Sequence, residues 1–347
     1  MRNLPIYHPT SLVAVDDDNI FLESLSSSLF TDLICHTYDN PEAGLRHVLA
    51  ARHPLTSQQD WFRGLSREYT VPIADDAGPL RRADRAIAWS PDCLLPLMSQ
   101  PERYGAVSVA IVDYDMPAMD GLEFCRRLQG QDVQRVLLTG KADHNVAVRA
   151  FNERLIEAFI IKQDDEAPDK ILATIQDSQT AFFDKITRPV QDVLRITDNE
   201  HFGSEQVDQW LGETLARAGA EELYYAGHPK GYILLSDTGR QQIALIQSET
   251  DIREHLEVAR FNGAPEELLT RLGQPDAQPW FPTERGLWEA GIANWQRFVF
   301  PATAIAGGWR CSLIEDAQAL LDGRYPPTTY ADFREARAGA GNVRSLH

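Results

Sequence analysis

The chain has 347 residues, 43% of them hydrophobic and 24% charged, a composition typical of a globular protein and not of a disordered or fibrous one. This length predicts two domains. No run approaches the roughly 18 consecutive apolar residues of a membrane span, and no signal-peptide pattern opens the chain, so we expect a cytoplasmic protein. The net charge of −18 disfavours nucleic-acid binding, which depends on Lys and Arg contacts to phosphates. The four cysteines form no C-x-x-C pair, which argues against a zinc site or a disulfide framework.

The first half of the chain alternates short apolar runs with amphipathic segments, the pattern of an α/β sheet. Helices are predicted over residues 19–30 and from Pro41 to Leu49, where the proline suits a first helical position. Strands are predicted at residues 12–15, 33–37, 107–112, 136–139 and 158–161. This order predicts a five-stranded parallel, doubly wound sheet.

Polar side chains follow four of these predicted strands. Asp16 and Asp17 follow the first strand, Asp113 the third, Thr139 ends the fourth and Lys162 follows the fifth. In a doubly wound sheet, ligands bind beyond the carboxyl ends of the strands, so we expect these groups to converge. Three carboxylates in one pocket repel one another unless a cation neutralises them. Mg²⁺ suits this need, because it prefers hard oxygen ligands and keeps positions open for a substrate phosphate.

The same residues predict phosphoryl chemistry at this edge of the sheet. With the metal polarising the phosphoryl oxygens, Asp113 can attack phosphorus as a carboxylate nucleophile. Lys162 can pair with one phosphate oxygen as a point charge. The Thr139 hydroxyl can donate to another, and Gly140 leaves room for the group.

Four motifs in this order, VAVDDDN, AIVDYDMPAMDGLEF, LLTG and FIIK, resemble the receiver domain of two-component response regulators. The resemblance implies a flavodoxin-like fold and a sensor histidine kinase or phosphotransfer protein as the partner. It implies these roles: phosphoacceptor Asp113; Mg²⁺ ligands Asp16, Asp17, Asp113 and the backbone carbonyl of Asp115; phosphate contacts Thr139 and Lys162; and switch aromatic Phe159.

The sequence departs from this family in two places. The stretch between Asp17 and Asp113 is about fifty residues longer than usual, an insertion that a fold tolerates because loop-closure entropy grows slowly with length. Gln163 stands where the family usually has a proline after the lysine, which predicts a differently shaped loop.

The insertion, at about residues 50–100, contains Trp61, Phe62, Tyr69, Trp89 and the apolar run 94–98. It is either a helical segment packed on the side of the receiver domain or a docking surface for a kinase or the output domain. We favour the first interpretation. Ser90 and Pro91 fit a helix N-cap and first helical position.

A heptad-like seam runs through the last receiver helix and beyond it. The apolar positions are interrupted by one polar residue, and the seam comprises Leu172, Ile175, Gln179, Phe182 and Ile186. It is either a dimer stripe, in which Gln179 would fix the register, or a long helix lying on its own domain. We favour a homodimer through residues 169–188.

Residues 200–332 predict an α+β output domain with an antiparallel sheet. Strands are predicted at 222–226, 232–236 and 242–247, followed by a helix to Phe261 and another after Pro265. A last hairpin is predicted from residues 295–300 and 309–314. His228 to Tyr232 suggests catalysis, but a turn between strands is the better interpretation, and no helix-turn-helix pattern with a basic helix is present.

These predictions divide the chain into a receiver domain (10–175), a helical linker (176–199), an output domain (200–332) and a disordered tail (333–347). We expect a response regulator that is not itself an enzyme and that signals through a non-DNA-binding output domain. Its architecture resembles atypical quorum-sensing response regulators. The alternatives are a phosphorylation-controlled transcription factor and an output enzyme that acts on a nucleotide.

Overall fold

The computed structural model describes residues 4–56, 91–140, 144–196, 201–202, 204–227, 230–283, 285–321 and 323–339. Two main sheets organise this part of the chain. One has five strands that pair in parallel, and the other has six antiparallel strands. The predicted fold class is therefore confirmed. None of the described helices combines the length and apolar character that spanning a bilayer requires.

The first strand of the chain, β1 (Ile6–Tyr7), belongs to the antiparallel sheet. The parallel strands are β2 (Ser11–Val15), β3 (Cys35–Tyr38), β4 (Val107–Asp113), β5 (Gln134–Thr139) and β6 (Ala158–Ile161). Their order in the sheet is β3-β2-β4-β5-β6. The accompanying helices are α1 (Asn19–Ser28), α2 (Pro41–Ala50), α3 (Gly121–Arg127), α4 (His144–Asn152) and α5 (Ala167–Ile196).

Alternate residues of the central strands supply two separate apolar cores. Leu12 of β2 packs with Leu22 of α1 and Ile171 of α5 on one face of the sheet. Val13 packs with Val48 of α2 on the opposite face. Because successive side chains of a strand point to opposite faces, a strand that is covered on both faces has an almost continuous apolar sequence. This is why β2 and β4 are buried along their whole length.

The antiparallel sheet includes β1, and its later strands are β7 (Ala220–Ala226), β8 (Gly231–Ser236), β9 (Gln241–Ser248), β12 (Thr303–Ile305) and β13 (Trp309–Ile314). Their order in the sheet is β1-β7-β8-β9-β13-β12. A two-stranded sheet is formed by β10 (Ala277–Pro279) and β11 (Val299–Pro301). The helices of this region are α6 (Glu205–Ala218), α7 (Glu249–Phe261), α8 (Glu266–Leu272), α9 (Gln318–Leu321) and α10 (Tyr330–Gly339).

Most of the predicted elements of this region are confirmed, and the last hairpin is partly wrong. The hairpin connects β12 to β13 through Gly307 and Gly308, whose φ angles are +88° and +77°. Residues 295–298 form a 3₁₀ helix, and β11 pairs with β10. The aromatic run that begins at Trp295 therefore leads into a different sheet.

The N-terminal strand lies outside the predicted receiver boundary. Ile6 pairs with Tyr224 and Tyr7 with Leu223, so β1 forms one edge of the antiparallel sheet. The chain then crosses into the parallel sheet at Ser11. The two regions are thus connected at residues 8–10 as well as through α5.

Helix α5 continues for 30 residues and joins the two cores. Ile175 packs in the core of the parallel sheet, whereas Phe182 and Ile186 belong to the core of the antiparallel sheet. Between them, the Gln179 Nε2 donates to Thr10 Oγ1 at 3.0 Å. The seam is therefore covered by its own chain and is not a free stripe for a dimer, which corrects the basis of that prediction. Its heptad-like spacing is the same in both cases, so the sequence could not distinguish them.

The last part of the predicted insertion packs against the antiparallel sheet. Residues 91–99 form a 3₁₀ helix in which Leu94, Leu95, Leu97 and Met98 are buried in the same core as the strands of that sheet. The interpretation that this run lies on the side of the receiver is therefore wrong for residues 94–98. Trp61, Phe62, Tyr69 and Trp89 lie outside the described residues.

The C-terminal helix α10 returns to the parallel sheet, although disorder was predicted from residue 333. The Tyr330 hydroxyl accepts from Ile34 N at 2.7 Å, and Arg334 Nη2 donates to Thr31 O at 2.7 Å. The Phe333 ring lies 5.5 Å from that of Tyr104. These contacts show that the small, polar tail sequence is helical as far as Gly339. Residues 340–347 lie outside the described part of the chain.

A buried polar network joins the two regions. Arg103 Nη2 lies 3.0 Å from Glu222 Oε2 of β7, and both side chains are almost inaccessible. The same guanidinium donates to Thr328 O at 2.8 Å, and the Tyr104 hydroxyl also donates to Glu222. A buried charge needs a paired and hydrogen-bonded partner. The network thus fixes the segment before β4, strand β7 and the C-terminal segment together.

We expect Arg103→Met to lower the free energy of unfolding by about 3–5 kcal/mol, because it leaves the Glu222 carboxylate buried without its cation. Urea unfolding of the full chain measures this. The matched control is Arg240→Met, which removes an exposed pair with Glu315, and it should change stability by only about 0.5 kcal/mol. Equal losses for the two variants would contradict the structural role of the buried pair.

Two buried histidines lie where the chain crosses between the sheets. His53 Nδ1 accepts from Leu55 N at 3.1 Å, so its Nε2 carries the proton and donates to His8 Nε2 at 2.9 Å. His8 Nδ1 then donates to Pro9 O at 2.7 Å. This chain of bonds requires both rings to be neutral. Burial, with the charge of Arg103, lowers the pKa of His53 from 6.5 to about 3, and burial lowers the pKa of His8.

These depressed pKa values predict a loss of stability in acid. Between pH 6.5 and about 3, the unfolded chain binds protons that the folded His53 does not. The free energy of unfolding therefore falls as the pH falls, by about 1.4 kcal/mol per pH unit for each such histidine. We expect His53→Gln, which keeps hydrogen-bonding groups but does not titrate, to reduce this slope in urea unfolding measured from pH 7 to pH 5. An unchanged slope would show that His53 is not responsible.

Candidate functional site

The carboxyl edge of the parallel sheet brings together the charged groups that follow its strands. Asp16, Asp17 and Asp113 each place a carboxylate oxygen within 4.8 Å of the others. Lys162 Nζ lies 2.6 Å from Asp16 Oδ2 and 2.8 Å from Asp113 Oδ1. The ammonium therefore bridges two of the three carboxylates. Three carboxylates and one ammonium leave an excess of two negative charges in this pocket.

The three consecutive aspartates differ in environment. Asp16 is buried, and its Oδ1 accepts from the backbone N of Asp18 at 3.0 Å. Asp17 is exposed toward solvent. Asp18 is the N-cap of α1, and its side chain accepts from Ile20 N and Phe21 N. An N-cap carboxylate satisfies helix N–H groups and favours the positive end of the helix dipole.

Burial and ion pairing compete at Asp16 and Lys162. Burial raises the pKa of Asp16, and the bonds from Lys162 and the Asp18 backbone offset this only in part. Burial acts to lower the pKa of Lys162, but its bonds to Asp113 and Asp16 outweigh this effect, so its pKa is raised. The pocket therefore keeps the lysine charged and favours a further cation near the carboxylates.

Gly121 allows the helix after Asp113 to approach the end of β4. A Cβ at this position would lie 2.3 Å from Asp113 O, which no side chain tolerates. The Gly121 N–H donates to Tyr114 O at 2.9 Å, which closes the loop from residue 114 to residue 121. Asp115 lies in this loop and is exposed. The loop is held tightly at both ends next to Asp113.

Thr139 and Phe159 lie on the neighbouring strands β5 and β6. Thr139 is fully buried, and its hydroxyl donates to Gly140 O at 3.2 Å. Phe159 is half-buried, and its ring centroid lies 5.4 Å from that of His144 of α4 and 6.5 Å from that of the partly exposed Phe151. The predicted phosphate contact Thr139 thus lies in the interior, and the predicted switch aromatic Phe159 lies next to α4.

The loop after Lys162, which was predicted to have an unusual shape because Gln163 replaces proline, turns at once. Asp164 N donates to Ile161 O at 3.1 Å, and the Asp164 side chain accepts from Glu166 N at 3.0 Å. Upstream, Lys162 N donates to Thr139 O at 3.0 Å. Backbone bonds on both sides therefore hold Lys162 at the end of the sheet.

Phe21 is a site residue that sequence reasoning treated only as part of an apolar helix face. Its ring lies under Lys162, with Nζ 4.7 Å from the ring centroid. The signal that could have found it is its place in the first turn of the helix capped by Asp18, next to the acid pair.

A second polar cavity, of about 120 Å³, lies in the antiparallel region. Its lining includes Lys230, Asp251, Glu254 and Arg285. Lys230 Nζ lies 3.0 Å from Asp251, whose Oδ2 also accepts from Ser248, and Glu254 pairs with Arg285. The Asp251 and Glu254 carboxylates of this cavity are thus each paired with a cationic side chain. His228 and Pro229 lie outside the described residues.

Comparisons with known proteins agree with this arrangement. Residues 96–176 match the response regulator receiver domain family. The structure of the Legionella pneumophila response regulator LqsR is similar over 96% of this chain and 95% of that chain, with a TM-score of 0.73 and 23% sequence identity. No match was found among curated protein sequences.

Two other solved structures cover only about half of the chain. An adenylate cyclase from Rhodopirellula baltica has a TM-score of 0.33 and 20% identity, over 55% of this chain and 99% of that chain. A CheY-like receiver domain protein from Methanospirillum hungatei JF-1 has a TM-score of 0.31 and 16% identity, over 51% of this chain and 98% of that chain.

The family match covers the strand that ends on Asp113 and the strands that lead to Thr139 and Lys162. The five-stranded parallel sheet agrees with such a domain. The structural similarity to the Legionella protein covers the antiparallel region as well as the parallel sheet. Residues 96–176 therefore match the receiver domain family, and the chain as a whole shares the fold of the Legionella response regulator, with an antiparallel region in addition to the parallel sheet.

Proposed function

We propose that the protein accepts a phosphoryl group on Asp113 from a sensor histidine kinase or a phosphotransfer protein, and that the additional region responds by binding a protein or a small ligand. The observation that carries this proposal is the pocket in which Lys162 bridges Asp16 and Asp113 beside the exposed Asp17. Such a pocket combines a nucleophile, a charge for phosphate oxygens and ligands for a divalent cation.

The donor set of this pocket fits Mg²⁺. All its ligand atoms are carboxylate oxygens, the excess of two negative charges matches a divalent cation, and burial alone disfavours the charged form of Asp16. Asp16, Asp17 and Asp113 would hold the metal, with the backbone carbonyl of Asp115 as a further ligand. The bound metal would neutralise the oxygens of the incoming phosphoryl group.

The chain's own residues account for the transfer. An Asp113 carboxylate oxygen attacks phosphorus, a P–O bond forms, and the bond from phosphorus to the donor's leaving group breaks. The Lys162 ammonium, 2.8 Å from Asp113 Oδ1, balances the charge that the phosphoryl group brings. The Thr139 hydroxyl, now bonded to Gly140 O, would turn to a phosphoryl oxygen. We assign the switch role to Phe159, on the strand next to that of Thr139.

The additional region is positioned to sense this change. Helix α5 packs on the receiver sheet at Ile175 and on the antiparallel sheet at Phe182. The Arg103–Glu222 pair joins the same two regions. Because packed interfaces switch between discrete arrangements, a small shift in the receiver can be passed through these contacts.

The net charge of −18 supports a partner other than DNA, against the alternative of a transcription factor. The alternative of an output enzyme that acts on a nucleotide is less well supported, because Asp251 and Glu254, the carboxylates that line the described cavity, are already paired.

A homodimer through residues 169–188 would need an exposed apolar helix face, but Phe182 and Ile186 are buried within one chain. Dimerisation would therefore use another surface.

We expect incubation with Mg²⁺ and acetyl phosphate to add one phosphoryl group to the wild type, measured by intact mass, and none to Asp113→Asn, which lacks the nucleophilic oxygen. The matched control is Asp115→Asn, because Asp115 is exposed and is proposed to contribute only its backbone carbonyl. Absence of labelling in the wild type, or equal labelling of Asp113→Asn, would refute the proposal.

Mg²⁺ titration distinguishes the neighbouring aspartates. We expect Asp17→Asn to weaken Mg²⁺ binding at least about tenfold, because it removes a charged hard ligand. Asp18→Asn should leave the affinity nearly unchanged, since asparagine is an equally good N-cap. Calorimetric titration measures both. Similar losses for the two variants would show that a metal ligand was wrongly assigned.

A further inference from the structure

The face of the Phe21 ring lies directly under the lysine of the phosphorylation pocket. Lys162 Nζ is 4.7 Å from the ring centroid, within the distance at which an ammonium is attracted to an aromatic face. Only about 20% of the lysine side chain is exposed, so water screens this attraction weakly. The ring is therefore a third partner of Lys162, besides Asp16 and Asp113.

Local structure fixes this ring in place. The Asp18 side chain accepts from Phe21 N at 3.2 Å and starts α1. Phe21 is half-buried and packs against the core that contains Leu25 and Ile160. In contrast, its neighbour Ile20 is 80% exposed. The orientation of the ring thus depends on the helix cap and on the core, and not on the pocket itself.

The ring is also the partner of Lys162 that a metal does not compete for. Asp16 and Asp113 are among the carboxylates that would bind Mg²⁺, and a bound metal would weaken the ion pair of each carboxylate with Lys162. The aromatic face is not a ligand for a hard cation. Once the metal is bound, the ring remains to hold the ammonium at the mouth of the pocket.

We propose that Phe21 is a positioning residue that keeps the Lys162 ammonium directed toward the phosphoryl group on Asp113 through a cation–π interaction. This inference rests on the proposed phosphorylation of Asp113. It assigns to the first turn of α1 a part in the reaction besides packing and capping.

The test is a series of fluorinated phenylalanines at position 21 of the full chain. Fluorination weakens the negative charge of the ring face while its size changes little, so packing is nearly constant. With Mg²⁺ and acetyl phosphate, we expect the phosphorylation rate to fall stepwise with the number of fluorines, by about three- to tenfold for the trifluoro ring. The Mg²⁺ affinity should stay within about twofold of the wild type, because the metal ligands are unchanged.

The control places the same analogues at Phe300, which is also partly buried but packs in the antiparallel region. A rate that does not depend on fluorination at position 21, or an equal fall at position 300, would overturn the role of Phe21. An unlabelled wild-type protein would instead refute the proposed phosphorylation. Phe21→Leu and Phe21→Tyr add a second comparison: tyrosine should retain the rate, and leucine should lower it. Equal rates for the two would also overturn the inference.

Discussion

The excess of negative charge at the carboxyl edge of the parallel sheet is the constraint around which the receiver half is organised. Asp16 and Asp113 end strands that are buried on both faces, so their carboxylates cannot turn away into solvent. Lys162 offsets part of this charge, and the turn directly after it holds the lysine in place. The fold thus concentrates negative charge at this edge and neutralises only part of it, so the pocket is complementary to a further cation.

The receiver and the additional region share more than a linker. One helix contributes to both cores, the segment before β4 inserts Arg103 beside Glu222, and α10 returns to the strand edge near Ile34. Buried polar groups in such a junction are fully hydrogen-bonded or costly. Movement of the parallel sheet relative to the second sheet would therefore require repacking of these shared contacts.

The strands of the parallel sheet could be predicted from the sequence because the patterns that indicate them are local. Apolar runs that end in Asp16 or Asp113 indicate buried parallel strands by length and pattern alone. Prediction from the sequence failed where the answer depended on contacts between distant parts of the chain. Nothing in the spacing of Phe182 and Ile186 distinguishes a partner helix from the chain's own second sheet, and the polar composition of the C-terminal segment hid the contacts of Arg334 and Tyr330. Similarly, Phe21 looked like one more apolar position, because a sequence pattern does not show which ring lies under a lysine from a distant strand.

The position of β1 has a consequence for how the chain assembles. Ile6 is synthesised before the parallel sheet, but its partner Tyr224 is synthesised only after that sheet. Because domains fold largely as units during synthesis, N-terminal ones first, the parallel sheet can form while β1 is still unpaired. Pairing between strands that are distant in sequence is slow, because the entropy of loop closure is lost before the stabilising contacts form. The antiparallel sheet is thus complete only when a strand that precedes the parallel sheet in the chain has paired with one that follows it.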